Sequence, residues 1–330
     1  MAQATVVNDL YTARVAVPMQ GAEALAGGAR DALAEVLVKA SGSYEVLNNE
    51  AILAALKDAR AHVQQYAYEQ NSAGEEGLWA RYEFDPTYVT RLLADSGAAL
   101  WTANRPEVLV WVVLEGPQGR QFVSGESSDG AAGTLARAFD RRGVPQRLPL
   151  FDLVDASALS PADAWRLDGS AIKSASARYK LADVVAARVA LLSEGSFVGD
   201  WVYFSPAGNV RRSLSAESLE DFFRQGVALV ADDMAARYAV APVASNGQGV
   251  PMVVTGVGSY ADYAAVVRWL ASIELLERAA VERVARDRLE LRLYAGVDPA
   301  QLSALIALNR RLQPVPSGDP ALLLNFAWQE

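Results

Sequence analysis

Few side chains in this sequence could carry out chemistry. It has 330 residues, a single histidine, His62, and no cysteine. Disulfides, thiolate metal sites and cysteine nucleophiles are therefore excluded. A His-His metal site, or a triad using histidine as the base, would have to use His62. That residue lies in KDARAHVQQYAYEQ, a polar-rich stretch where an ordinary surface or boundary histidine is expected. Paired carboxylates are the next candidates, since two acids can share hydrolysis. Asp152 and Asp155 follow an apolar segment, and α/β ligand sites gather after strand ends. Solvated loop acids share that spacing. Asp232 and Asp233 are neighbours on one expected helix, so they point to different faces. GESSDGAAG, at 125–133, has the glycines of a phosphate loop. It lacks the Gly-Lys-Ser/Thr ending and carries Glu126 and Asp129, so a flexible connection is expected.

Four aromatic and cationic residues are candidates for a partner surface: Trp79, Arg81, Trp201 and Tyr203. Trp79 and Arg81 alternate with Leu78, Ala80 and Tyr82, so they share the opposite strand face. Trp201 and Tyr203 alternate with Val202 and Phe204. One of those pairs must face away from the main core unless both faces are covered. Trp, Tyr and Arg anchor many partner surfaces. Packing between modules or under a helix is the structural alternative for all four.

The elements that position these residues can be read from the pattern. Val108–Leu114 is an unbroken apolar run, bounded by Pro106 and Gly116-Pro117. It is too short to span a bilayer. Its β-branched content suits a strand buried on both faces, in mid-sheet. Ahead of it, Leu10–Val17 reads as a strand and Gly21–Ser41 as a helix closed by Gly42. Asn49–Gln70 reads as a second helix, which Asn48 or Asn49 can cap, with Ile52, Leu53, Leu56, Val63 and Tyr66 on its apolar stripe. Leu78–Phe84 is a strand, and Asp85-Pro86 starts another helix. After it come a helix over 134–142, a strand over Arg147–Leu153 and a helix start at Ser160-Pro161. Strands follow over Asp183–Leu192, Phe197–Ser205 and Val210–Ser215, the last two forming a hairpin. Ser215 would then cap a long helix over Ala216–Tyr238 that covers the sheet holding Val108–Leu114.

ASNGQGVP, at 244–251, is the clearest linker. Beyond it lie strand Met252–Val257, a helix capped by Ser259 with Asp262, a hairpin around Arg286-Asp287, a helix at Asp298-Pro299 and strand Leu322–Ala327. The order β-α-β-β-α-β is the split βαβ, or ferredoxin-like, arrangement. The expected fold is thus α+β, in three sheet-plus-helix modules over 4–104, 105–242 and 250–330.

Hydrophobic residues make up 52% and the net charge is −9. The content suffices for packed cores. The charge disfavours a nucleic-acid groove and docking on anionic lipid. No stretch is long and apolar enough for a transmembrane helix. The opening Met1-Ala2-Gln3-Ala4 has the flavour of a processed end behind an added methionine.

The stretch LWARYEFDPTYVTRLLADSGAALWTANRPEVLVWVVLE resembles a bacterial family catalogued as a domain of unknown function. The motifs are sharpest at Tyr82–Asp85 and Arg105–Val113, and SYADYAAVVRWL is similar to the same family's carboxy-terminal part. The resemblance implies a Gram-negative periplasmic protein with a cleaved signal peptide. It brings no catalytic residues and no cofactor. The expectation is a non-catalytic envelope protein that binds another envelope protein or a cell-wall component. A carbohydrate hydrolase using Asp152 or Asp155, and a structural oligomer, are the alternatives.

Overall fold

A computed structural model describes residues 4–70, 78–125, 130–241, 247, 249–309, 311–316 and 324–329. The fold is α+β, with several small sheets packed against helices.

The first part contains β1 (Ala4–Val6), β2 (Thr12–Val17), α1 (Ala22–Ser41), α2 (Glu50–Lys57), β3 (Val63–Gln70), β4 (Leu78–Phe84) and α3 (Pro86–Asp95). Strands β2, β4 and β3 form an antiparallel sheet with β4 in the centre. Ala80, Tyr82 and Phe84 turn inward onto Leu33, Val36 and Leu37 of α1. The expected helix over Asn49–Gln70 is a correction. It stops at Lys57 and passes through a short 3-10 turn, Ala59–His62, into β3. Val63 and Tyr66 suit a helix stripe. Residues 63–70 instead pair with β4, and that long-range partner outweighs the local spacing. Asn49 does cap α2, accepting from the N–H of Ala51.

The second part runs β5 (Asn104–Pro106), β6 (Val108–Gly116), β7 (Gly119–Phe122), α4 (Ala131–Arg142), β8 (Gln146–Arg147), α5 (Leu153–Ala158), α6 (Pro161–Ala164), α7 (Gly169–Ser176), β9 (Asp183–Leu191), β10 (Phe197–Ser205), β11 (Gly208–Ala216) and α8 (Leu219–Tyr238). Strand β6 lies inside the sheet, beside β9 on one flank and β7 and β8 on the other. Val108, Val110 and Val112 enter the core under α4 and α8. Leu109, Trp111 and Val113 enter a second core under α6 and α7. Both faces are covered, which is why the run is apolar at every position. Two boundaries differ from expectation. The strand foreseen over Arg147–Leu153 ends at Arg147, because Phe151 takes a left-handed backbone (φ 52) and Asp152 caps α5. The cap of α8 is Ser218, which accepts from the N–H of Asp221, rather than Ser215.

The third part holds β12 (Val250–Thr255), α9 (Tyr260–Ala271), β13 (Leu276–Ala285), β14 (Arg288–Ala295), α10 (Pro299–Ile306), β15 (Leu312–Pro314) and β16 (Leu324–Trp328). Ser259 and Asp262 form a reciprocal capping box on α9. The sheet order is β13-β14-β12-β16-β15. The first four positions follow the split βαβ order. The additional β15 turns the chain back, so β16 runs parallel to β12. Half of the linker over 244–251 lies outside the described residues.

Candidate functional site

A cleft of about 300 Å³ opens between the first sheet and the second part of the chain. One wall is the outer face of the sheet. In β4, Ala80, Tyr82 and Phe84 fill the core, so Trp79 and Arg81 point outward into the cleft. Register sets Arg14 beside Arg81 and Glu69 beside Trp79. The Arg14 guanidinium lies 4.5 Å from the Trp79 ring centroid, and its Nε donates to Glu69 at 2.8 Å. Such stacking is attractive through the ring quadrupole. Arg81 is exposed and has no side-chain partner among the described residues.

The opposite wall comes from α4 and the start of α8, with Arg137, Arg141 and Arg224 on it. Arg141 bridges Glu35 at 3.2 Å and Glu220 at 3.3 Å. Arg224 is held by Asp221 at 2.9 Å. The floor is α1, whose i, i+4 spacing presents Glu35 and Lys39 together. Lys39 is buried, and its ammonium donates to the Thr12 carbonyl at 2.8 Å. Burial lowers its pKa, against the pull of Glu35 and Asp9. Burial raises the pKa of Glu35, with Lys39 and Arg141 opposing. Asp140 is raised by desolvation and then by Asp9, with Lys39 opposing. A concave site with shifted acids and a shifted lysine is the ordinary signature of a ligand site.

Of the four partner-surface candidates, the structure brings Trp79 and Arg81 together in this cleft. Trp201 and Tyr203 are corrected: both are fully buried, at 0% exposure, and cannot present a surface. Trp201 packs on Phe222 and Phe223 of α8. Val202 and Phe204 fill the core on the other side of the sheet. With both faces covered, neither pair is left outward. The Tyr203 hydroxyl donates to Asp183 and accepts from Arg237.

The other chemical candidates serve the fold. Asp152 caps α5 and takes a two-point ion pair from Arg178, at 2.7 and 2.9 Å. Those bonds hold its carboxyl down at about 2, so it is not a proton donor near neutrality. Asp155 is buried and accepts from Arg178, the Tyr179 hydroxyl and the Phe151 N–H. His62 stacks on Tyr88 at 3.7 Å. Asp232 and Asp233 diverge to Arg142 and Arg237. Glu126 and Asp129 lie outside the described residues. No group of three or more potential metal ligands occurs among the described residues. No helix among them is long and apolar enough to cross a membrane.

Sequence reasoning missed the far wall and the floor of the cleft. Lys39 sits among Val36, Leu37 and Ala40, an apolar stretch of α1. A lysine there was a readable sign. The arginines of α4 carry no such sign in the local sequence.

The fold and cleft define an α+β protein with a charged groove between modules. Comparison with known proteins adds one family. The family model described as "Domain of unknown function (DUF8605)" matches residues 4–102. It ends before the Arg105–Val113 motif. No curated protein matches this chain. A solved structure titled "Crystal structure of uncharacterized protein" is similar over 40% of this chain and 97% of its own, at 11% identity and a TM-score of 0.16. Likeness that slight carries no argument.

Proposed function

We propose that this chain is a non-catalytic binding protein of the bacterial periplasm, taking a cell-wall component in the cleft. The observation that carries this is the Trp79 ring beside Arg81, which has no side-chain partner among the described residues, on one wall, facing arginines on the other. An aromatic face suits a sugar ring or apolar stem, and guanidinium groups suit carboxylates. Glu35 and Asp140 would meet an amine on the same ligand. A peptide-bearing glycan carries all three features. The periplasmic setting rests on the sequence resemblance.

The test is titration calorimetry with soluble cell-wall fragments. Wild type should bind at one site. Arg81→Glu and Trp79→Ala should each weaken that binding at least tenfold, roughly 1.4 kcal/mol. Unchanged affinity in both variants would remove the cleft from the function. Turnover of the fragments would remove the non-catalytic reading.

A further inference from the structure

A second cavity, of about 180 Å³, lies behind the Arg141–Arg224 wall. Its lining includes Arg141, Arg142, Arg224, Glu35 and Tyr44. Arg142 is the unusual member. It is only 2% exposed, and its Nη2 donates to the Gly42 carbonyl and to Asp232, both at 2.8 Å. Its Nε and Nη1 are buried with no hydrogen-bond partner among the described residues. Buried polar groups are otherwise paired in nearly every case, and an orphaned donor points to an absent water or ion.

The donor-rich lining favours an anion over water. Three guanidinium groups line this cavity against a single carboxylate, Glu35. The acids that restrain them, Glu220, Asp221 and Asp232, are not among the lining residues. Two more buried cations, Lys39 and Arg105, stand close to Arg142 in the fold. Both are held by backbone carbonyls, with Glu35, Asp9 and Asp140 near Lys39 and Glu274 near Arg105. The cavity exceeds several times the roughly 30 Å³ a water occupies in the liquid. Tyr44 covers the site. Its ring centroid stands 4.9 Å from the Arg142 guanidinium, and the residue is 48% exposed.

We infer that this cavity is an oxyanion site of phosphate class, with Arg142 at its base, Arg141 and Arg224 at its sides and Tyr44 as its cover. A phosphate group offers the acceptor oxygens that the orphaned Arg142 donors lack, in a lining that brings three guanidinium groups together. The site shares Arg141, Arg224 and Glu35 with the cleft, but its test is separate, because its probe is phosphate rather than a cell-wall fragment.

The experiment is titration of the full chain with inorganic phosphate at constant ionic strength, followed through the arginine Nε resonances. The Arg142→Lys spectrum identifies the signal. A saturable, one-to-one shift at Arg142 is expected. Arg141 and Arg224 are 38% and 49% exposed, so their replacement spares the core. The Arg141→Gln/Arg224→Gln double variant should weaken phosphate at least tenfold, and Glu35→Gln should tighten it. An unmoved Arg142 signal, or equal affinity in the double variant, would overturn the site. Either result leaves the fragment-binding test of the cleft standing.

Discussion

Asp183 opens β9 and is fully buried. One carboxylate oxygen accepts from Tyr203 and, at 3.3 Å, from Arg237. The other has no partner among the described residues. Burial raises its pKa above the usual carboxylate range, and Asp233 adds to that, while Tyr203 and Arg237 oppose it. The folded chain therefore holds this proton more tightly than the unfolded chain. By linkage, the stability it contributes is fully present below the unfolded value of about 3.9. It is lost as pH rises through the raised folded value. Asp183→Asn removes the titration and leaves an oxygen for Tyr203. Stability from urea unfolding between pH 4 and 8 should fall with pH in wild type relative to the variant. The fall should be about 1.4 kcal/mol for each tenfold by which folding tightens the proton's hold. Parallel curves would show that Arg237 keeps Asp183 ionised throughout.

Elements are where sequence and structure agreed best, and where they disagreed for a physical reason. The run Val108–Leu114 declared its strand because every position is covered, and the capping signals at Asn49, Asp85, Ser160, Ser259 and Asp298 all start helices. What failed was pairing. Residues 63–70 became a strand through β4, a partner the local spacing does not announce. The outward face of Trp79 and Arg81 was legible from alternation alone. The facing arginines were not, since only the docking of α4 and α8 brings them opposite. Trp201 was misplaced because its cover, α8, bends no local rule; it simply lies over the strand. Gly226 records that contact. A methyl group there would come within 2.0 Å of the Trp201 ring. Gly226→Ala should therefore cost about 1–3 kcal/mol through overpacking, against a gain in helix propensity of about 1 kcal/mol. A stability equal to or above wild type in thermal unfolding would mean that α8 can lift off the sheet freely.

At the scale of the whole molecule, the parts are joined by buried contacts rather than strung on linkers. Strand β1 pairs with β5, and Leu100 bridges Val240. The Tyr11 hydroxyl donates to Glu274 at 3.0 Å, and Leu275 packs against the cores of the first and third parts. Arg105 is the strongest of these ties. It is fully buried and stacks 3.8 Å from the Trp101 ring centroid. All five of its N–H groups donate to backbone carbonyls, those of Thr102, Arg142, Gly143, Lys39 and Trp101. Arg142 and Lys39 stand in the last turns of α4 and α1, so two helix carboxyl ends converge on one cation. Burial lowers its pKa to about 9, which leaves it charged at neutral pH. Arg105→Met would strand those carbonyls in the interior, at a cost of about 3–5 kcal/mol. Because the tie spans parts, the loss should move the unfolding of the entire chain. Hydrogen exchange in β4, β6 and β14 should accelerate together, and urea unfolding should stay a single transition. Acceleration confined to one sheet would show that the three unfold independently.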